Sequence, residues 1–352
     1  MSWLSELARA EIRDLKAYQH ASWEPGLVRL HANELPWRAP LDDSEAGLNR
    51  YPEPHPHELA ARLAVLYGVG ADWVLPGRGS DEAIDLLTRC YCRAGIDAVL
   101  ITPPTFGMYS VAARIQGASV IAVPLRREQQ FALDAGAVLA ALTPQVKLVY
   151  LCSPNNPTGN LLERGAILEL AQALTGRALL VIDEAYVEFS ETTSLATELT
   201  NYPALVVLRT LSKAYGLAGA RCGVVLAQPE IIALLRQVIQ PYAVTQLSIE
   251  AVLRTLQPEP MATAAQRVAG IVAERKTLAR ALAAQRGTVR VWPSAANFLL
   301  VDFADAATAL ARSRAAGLLL RDLRANNASL FQALRISVGS PEQNQQLLAS
   351  LS

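Results

Sequence analysis

Three apolar runs, each followed directly by polar residues, decide the fold of this chain. They are LVYLCSPNNPTG at residues 148–159, ALLVIDEAY at residues 178–186 and ALVVLRTLSK at residues 204–213. Unbroken apolar runs of this kind are typical of parallel strands in a sheet that helices cover on both faces. Because ligands bind beyond the carboxyl ends of such strands, the polar residues after each run are candidates for one shared site.

The same alternation of apolar strands and helical segments continues on both sides of these runs. Strands are predicted at residues 73–75, 98–102, 119–123, 147–152, 178–182, 205–208 and 222–227, with helices between them at 83–92, 108–116, 133–142 and 165–174. Strands that alternate with helices predict an α/β domain with a mostly parallel sheet covered by helices.

The pattern changes after residue 260. A long helix is predicted at residues 261–286, followed by strands at 289–292, 297–302 and 334–338 and by helices at 306–315 and 341–351. This pattern predicts a second, smaller α+β domain. We therefore divide the chain into an N-terminal arm with part of the small domain (1–45), a large cofactor-binding domain (46–255) and a small C-terminal domain (256–352). The irregular arm is expected to wrap onto the small domain or a partner subunit.

Composition limits the classes of function. A chain of 352 residues with 51% hydrophobic residues suits two domains with ample buried cores. Lysine and arginine number 32, as do aspartate and glutamate, so there is no basic excess for a nucleic-acid backbone. The sequence shows no apolar run of membrane-spanning length and no secretory signal pattern at its start, so we predict a cytoplasmic protein.

Cysteines and histidines give little support to a metal site. The four cysteines, Cys90, Cys92, Cys152 and Cys222, are too few for a disulfide framework and are expected to be buried thiols. All four histidines precede residue 60, and no acidic or thiol cluster matches the run Pro54-His55-Pro56-His57. A solvated loop is the favoured interpretation of that run, and no metal is predicted.

The residues that follow the strands meet the needs of pyridoxal 5'-phosphate. Lys213 supplies the amine for covalent attachment, and Asp183 supplies the carboxylate that keeps the pyridine nitrogen protonated. Asn156 and Tyr186 can share hydrogen bonds to the ring phenolate. Phe106 can stack on the ring, where only an aromatic face is required.

The phosphate of the cofactor also has candidate partners. Arg221, Thr210 and Ser212 can hold it, and the backbone amides of Ser80 and Asp81 open a predicted helix that adds a second anchor. Taken singly, these motifs have ordinary interpretations, such as a turn at Asn-Pro-Thr-Gly or a helix start at Gly-Ser-Asp-Glu. Taken together, groups placed in this order at the carboxyl ends of several strands predict a pyridoxal 5'-phosphate site.

The chain resembles a known family in these motifs. The order SPNNPTG, DEAY, RTLSKAYGLAGAR is similar to that of the fold-type I aminotransferases. The segments RLHANELPW, LNRYPEP, GRGSDEAIDLL, PPTFGMYSVAA, LLLRD and ALRISVGS narrow the resemblance to the histidinol-phosphate aminotransferases. The resemblance extends from about residue 17 to the C-terminus. It departs from the family at Phe106, where many relatives carry tyrosine, and at Ala220, where a larger aliphatic residue is common.

The resemblance implies a homodimer with a shared active site. It implies catalytic roles for Lys213, Asp183 and Tyr186. It further implies that Tyr51 reaches the cofactor phosphate of the neighbouring subunit. For the substrate, it implies that Arg335 binds the carboxylate and Arg321 the phosphate, and Tyr18 from the arm is a further candidate contact.

The implied reaction is transamination of L-histidinol phosphate with 2-oxoglutarate. Two alternatives keep the cofactor: an aminotransferase for aromatic or other amino acids, and a phosphothreonine decarboxylase, which resembles this family closely. The long match around Lys213 favours transamination over decarboxylation. A non-catalytic sensor is a third alternative, but the balanced charge and the absence of a DNA-binding pattern before residue 70 give it no support.

Overall fold

The computed structural model describes residues 2–20, 24, 26–325 and 328–352. Within these residues, seven strands form one sheet and four strands form a second. The strands of the large sheet are β1 (Val74–Gly77), β2 (Ala98–Ile101), β3 (Ser119–Ala122), β4 (Val146–Cys152), β5 (Leu179–Asp183), β6 (Leu205–Thr210) and β7 (Gly223–Leu226). Those of the small sheet are β8 (Thr288–Val291), β9 (Phe298–Phe303), β10 (Arg321–Asp322) and β11 (Ala333–Ser337).

The large sheet is mostly parallel, as the sequence predicted. Its strand order is β1-β7-β6-β5-β4-β2-β3, and β7 alone runs antiparallel to both of its neighbours. The carboxyl ends of β4, β5 and β6 therefore meet at one edge. Because β7 is reversed, it begins at that edge, where Gly223 pairs with Thr210 on one side and Gly77 on the other.

Helices cover both faces of this sheet. They are α3 (His57–Tyr67), α4 (Ser80–Tyr91), α5 (Met108–Gln116), α6 (Ala135–Ala140), α7 (Arg164–Leu174), α8 (Pro229–Val238) and α9 (Gln246–Thr255). Every residue of β5 is buried, and its successive side chains enter two different cores. Leu180 and Ile182 belong to one core, and Leu179 and Val181 to the other. This burial on both faces explains the unbroken apolar runs.

The small sheet is antiparallel in the order β10-β11-β9-β8. Its helices are α10 (Pro258–Ala283), α11 (Ala306–Ala315) and α12 (Pro341–Leu351). Apolar side chains from all three helices pack with β9 and β11 in one core. The second, smaller α+β unit predicted from the sequence is therefore present.

The N-terminal arm was predicted to wrap onto the small domain or a partner subunit, and within this chain its first residues do not lie on the small domain. Two short helices, α1 (Trp3–Leu7) and α2 (Ala10–Arg13), pack on the large domain instead. The reason is apolar burial, since Leu4 and Ala8 join the core that α4 and α8 share, and the Arg9 amide donates to the Cys90 carbonyl at 3.0 Å.

The cysteines behave as predicted, because all four are buried and free. In the part of the chain that the structure describes, no group of three or more histidine, cysteine or acidic residues is arranged to hold a metal ion. The helices of the same described residues include none with the length and apolar character needed to cross a membrane.

Candidate active site

A cavity lies at the carboxyl edge of the large sheet. Ten of the predicted cofactor residues line it: Ser80, Asp81, Phe106, Asn156, Asp183, Tyr186, Thr210, Ser212, Lys213 and Arg221. They come from several segments of the chain, of which the first begins at Ser80 and the last ends at Arg221. The parallel order of β4, β5 and β6 and the reversal of β7 bring them together, because all four strands present their polar ends at this edge.

Asp183 ends β5 at the base of the cavity. Its carboxylate is buried, and its Oδ2 accepts a hydrogen bond from the Tyr109 hydroxyl at 2.9 Å while its Oδ1 accepts one from the Ala185 amide at 3.1 Å. Burial raises the pKa of Asp183 to about 6, and the two hydrogen bonds act against that rise. The carboxylate is therefore charged at neutral pH and held in a fixed orientation.

Lys213 follows β6 and projects into the same cavity. Burial is the main factor that lowers the pKa of Lys213, and the positive charges of Arg335 and Arg221 lower it further. The ammonium lies 5.8 Å from the centre of the Tyr186 ring. A lysine whose neutral form is favoured in this way is suited to covalent attachment and to accepting a proton.

Asn156 and Tyr186 form a polar part of the cavity wall. The Asn156 amide nitrogen donates to the Tyr186 hydroxyl at 3.2 Å, and the Arg335 guanidinium donates to the Asn156 amide oxygen. Burial raises the pKa of Tyr186, so its hydroxyl keeps its proton and remains a donor. Arg335 belongs to the small sheet, so this contact joins the two domains at the cavity.

Arg221 lies at the end of the cavity near the first turn of α4. Its guanidinium donates to the Ser212 hydroxyl at 3.3 Å and lies 3.4 Å from an Asp81 oxygen. Glycines on both sides allow this close approach. A Cβ on Gly79 would lie 2.8 Å from the Arg221 guanidinium, and a Cβ on Gly223 would lie 2.7 Å from the Gly79 backbone.

These residues fit pyridoxal 5'-phosphate. A buried carboxylate, a lysine and a phenol face one cavity with an aromatic side chain, Phe106, in its lining. At the opposite end, a guanidinium, hydroxyl groups and the amide-rich start of α4 supply the donor types that bind a phosphate.

The predicted substrate arginines lie next to the cavity. Arg335 and Arg321 line an adjoining cleft together with Phe106 and Lys213. They are direct partners in the antiparallel pairing of β10 and β11, so both side chains leave the same face of the small sheet. Arg321 does not pair with Asp322, because the Asp322 carboxylate is bound by Arg324 at 2.8 Å.

Two predicted residues lie away from the cavity of their own chain. Tyr51 stacks on Tyr242 with ring centres 4.7 Å apart, and half of its surface is exposed. Tyr18 is 73% exposed. Neither lines the cavity or the adjoining cleft, so any contact with cofactor or substrate has to be made in another subunit or after the arm moves.

Sequence analysis missed Tyr109. This residue lies in α5, has no exposed surface, and binds Asp183 directly. Its ring stacks on that of Tyr150 at 4.8 Å and meets the Phe106 ring edge to face at 5.7 Å. The sequence did offer one indication of its role: Tyr109 lies three residues after Phe106, so both residues lie near the start of α5.

Comparison with known proteins agrees with this geometry. Residues 31–351 match the family model described as aminotransferase class I and II. The histidinol-phosphate aminotransferase of Stenotrophomonas maltophilia (strain R551-3) is 48% identical over 350 residues, covering 98% of this chain and 96% of that protein.

Solved structures share the fold. Histidinol-phosphate aminotransferase from Sinorhizobium meliloti in complex with pyridoxal-5'-phosphate has a TM-score of 0.77 at 27% identity, with 86% of this chain and 82% of that chain covered. L-threonine-O-3-phosphate decarboxylase from Porphyromonas gingivalis has a TM-score of 0.73 at 27% identity, with 86% and 90% covered. The family match includes all the strands that carry the cavity.

Proposed function

The chain belongs to the aminotransferase class I and II family and, within it, to the histidinol-phosphate aminotransferases, and from this premise we propose that it transfers the amino group of L-histidinol phosphate to 2-oxoglutarate. The products are imidazole acetol phosphate and glutamate, in a step of histidine biosynthesis. The cofactor is pyridoxal 5'-phosphate, and the fold is that of the fold-type I transferases, as the sequence predicted. The cytoplasm is the compartment we propose for this reaction.

Lys213 performs the proton transfers in this proposal. When bound, pyridoxal 5'-phosphate supplies an electron sink for the charge that deprotonation leaves on the substrate Cα. Lys213 would hold the cofactor at rest, and its freed amine would remove the Cα proton of the substrate as a general base. The same amine would return that proton as a general acid. The lowered pKa of Lys213 favours the neutral form that this cycle needs.

The other cavity residues bind and orient. Asp183 would hold the ring nitrogen in its protonated form, and Asn156 with Tyr186 would donate to the ring oxygen. The phosphate would be held by Arg221 and by neighbours that share its end of the cavity, namely Ser80, Asp81, Thr210 and Ser212. Phe106 would cover one face of the ring.

The observation that carries the substrate proposal is the arginine pair Arg321 and Arg335. Like charges opposite each other in a sheet are destabilising, and no carboxylate among the described residues forms an ion pair with either guanidinium. Burial lowers the pKa of Arg335; Tyr186 acts against this, and the positive charge of Arg321 lowers the pKa further. An anion would remove this strain. The phosphate of the amino substrate and the second carboxylate of glutamate are both anions that a guanidinium fork binds well.

Replacing Arg321 with alanine tests the substrate. The wild-type protein is expected to prefer histidinol phosphate to histidinol, phenylalanine and phosphothreonine. In Arg321→Ala, kcat/KM for histidinol phosphate is expected to fall roughly ten- to a hundredfold, because one charge-assisted contact contributes about 1.5–3 kcal/mol. The value for plain histidinol is expected to change little. Steady-state kinetics with each substrate, with carbon dioxide release measured for phosphothreonine, give the comparison.

Arg312→Ala is the matched control, because Arg312 lies in the small domain on α11, donates to the Ser352 carbonyl at 3.1 Å and does not line the cleft. It is expected to retain the wild-type preference. An equal loss for histidinol and histidinol phosphate in Arg321→Ala would show that Arg321 does not bind the phosphate. Wild-type preference for phenylalanine, or carbon dioxide release from phosphothreonine, would contradict the proposed reaction.

The exposed arm supports a homodimer with shared active sites. Large apolar side chains are exposed along it, among them Val28, Leu30, Trp37 and Leu41. A run of apolar surface of this kind is typical of an interface. Tyr51 follows this run and lies outside the cavity of its own chain. A second copy of the chain would cover the apolar residues and would bring Tyr51 to the phosphate of its cofactor.

Hybrid dimers test this arrangement. Mixed dimers of Tyr51→Ala and Lys213→Ala protomers are expected to recover activity, because one of the two sites then combines an intact Lys213 with an intact Tyr51. Activity is measured on heterodimers purified with two different affinity tags. Heterodimers of Lys213→Ala and Asp183→Ala are the control and should stay inactive, since both residues belong to the same cavity. If heterodimers of Tyr51→Ala and Lys213→Ala protomers remain inactive, Tyr51 does not act in the site of the neighbouring subunit.

A further inference from the structure

The hydrogen bond between Tyr109 and Asp183 has a role that packing alone does not require. Both side chains are buried, and the Tyr109 hydroxyl donates to the carboxylate at 2.9 Å. Tyr109 already has a well-packed ring, stacked on Tyr150 with an angle of 6° between the ring planes. A phenylalanine would fill the same space, so the hydroxyl has to be explained by what it binds.

We propose that Tyr109 is a positioning residue that keeps Asp183 ionised and aimed at the ring nitrogen of the cofactor. This inference rests on the proposed pairing of Asp183 with that nitrogen. A hydrogen bond donated to a carboxylate stabilises its charged form. With two donors fixed on its oxygens, by Tyr109 and by the Ala185 amide, the carboxylate leaves the proton on the ring nitrogen.

Other groups around Asp183 do not replace this donor. Its titratable neighbours come from each element packed against it: Asp81 on α4, Tyr109 on α5, Cys152 on β4, Tyr186 after β5 and Lys213 after β6. Burial raises the pKa of both the Cys152 thiol and the Tyr109 hydroxyl, so both keep their protons. The charge of Asp81 opposes ionisation of Asp183, and Lys213 favours it less than the Tyr109 hydrogen bond does.

Tyr109 also connects two cofactor contacts. Its ring meets the Phe106 ring edge to face at 5.7 Å, and its hydroxyl fixes the carboxylate. Phe106 would contact the face of the cofactor ring, and Asp183 its nitrogen. One buried side chain therefore sets the position of both groups, which gives α5 a function beyond covering the sheet.

The experiment uses pyridoxamine 5'-phosphate, which binds without a covalent bond to Lys213. Its dissociation constant is measured against pH for the full-length wild type and for Tyr109→Phe. Asp183→Asn is the reference, because its remaining pH dependence reports the phosphate and the other groups. Relative to this reference, wild-type binding is expected to weaken as the pH falls and Asp183 takes up a proton. In Tyr109→Phe this weakening is expected about one pH unit higher, since a donor that lowers the carboxyl pKa is gone.

Tyr150→Phe is the matched control. Tyr150 is equally buried and stacks on Tyr109, but its hydroxyl lies 3.2 Å from the Thr88 hydroxyl and 3.3 Å from the Ile84 carbonyl, not at Asp183. It is expected to keep the wild-type pH profile. Thermal unfolding of both phenylalanine variants shows whether they fold. If Tyr109→Phe does not fold, 3-fluorotyrosine is introduced at position 109 instead. Its hydroxyl is a stronger hydrogen-bond donor, so the pH dependence of cofactor binding is expected to move to lower pH.

The outcomes separate the two proposals. A Tyr109→Phe profile that coincides with the wild type, while Asp183→Asn differs from it, would overturn the role of Tyr109 and leave the pairing of Asp183 with the ring nitrogen intact. An Asp183→Asn profile identical to the wild type would remove Asp183 from cofactor binding, and the role of Tyr109 with it. A pH profile of the 3-fluorotyrosine protein that coincides with that of the wild type would also overturn the role of Tyr109.

Discussion

Replacing Lys213 with alanine is expected to lower turnover by at least about 10⁴-fold, the upper range for a single general acid–base group, because the proposed mechanism also assigns attachment of the cofactor to the same amine. The loss should fall on kcat, whereas folding should be unaffected, since Lys213 is exposed to the cavity and is not part of an apolar core. Steady-state kinetics and thermal unfolding of the variant measure the two effects. Borohydride reduction of the wild type, followed by peptide mapping, should place the cofactor on Lys213.

The other lysines provide controls for this assignment. Lys276 is exposed and lies 3.9 Å from Glu191, and the Lys147 ammonium donates to the Pro144 carbonyl at 3.1 Å. Neither lines the cavity. Lys276→Ala is expected to keep wild-type turnover. A cofactor-labelled peptide that contains Lys147 or Lys276, or near-normal turnover in Lys213→Ala, would contradict the assignment.

The strands of the large sheet were predictable because burial on both faces leaves a continuous apolar run. The prediction was wrong where a charged residue is buried. β6 was expected to end at Leu208 but continues to Thr210, because Arg209 is buried with ion pairs to Glu188 at 2.7 Å and Glu184 at 3.5 Å. Nothing local in the sequence distinguishes such an arginine from a solvated one.

Two other elements were not predicted from the sequence, for different reasons. α3 begins at His57, within a proline and histidine run that suggests a loop, although Leu59, Leu63 and Tyr67 repeat at helical spacing and are buried. β10 has two residues, Arg321 and Asp322, which is too short for any periodic signal. It exists because it pairs with β11, so it is determined by tertiary structure.

The cavity was predictable to the extent that it follows from strand order. Asn156 and Lys213 follow β4 and β6, and Asp183 is the last residue of β5, so their convergence is a consequence of parallel topology. Tyr109 was not predictable in this way, because it approaches Asp183 from a helix. The role proposed for Tyr51 requires a second copy of the chain, and no pattern within one chain can show where that copy lies.

Asp183→Ala and Asp183→Asn are both expected to lower turnover by about 10²- to 10³-fold, the loss that follows removal of one preorganised electrostatic group. In the proposed pairing, either variant would leave the ring nitrogen without an anionic partner, so the nitrogen would lose its proton and withdraw electrons from the substrate carbon less strongly. Kinetics of both variants at neutral pH measure this loss. Near-normal turnover in either variant would exclude the carboxylate charge from the mechanism.

Stability separates the charge of Asp183 from its structural contribution. In Asp183→Ala the Tyr109 hydroxyl is left buried without an acceptor, which costs about 1–3 kcal/mol. In Asp183→Asn both neighbours keep a partner, because the amide oxygen accepts from the Ala185 amide and the amide nitrogen donates to the Tyr109 hydroxyl. The wild-type carboxyl has a pKa of about 6, above its ordinary 3.8, so its charge costs stability at neutral pH, and the asparagine variant should be at least as stable as the wild type. Equal losses of turnover with unequal melting temperatures would assign catalysis to the charge, whereas a loss confined to Asp183→Ala would assign it to packing.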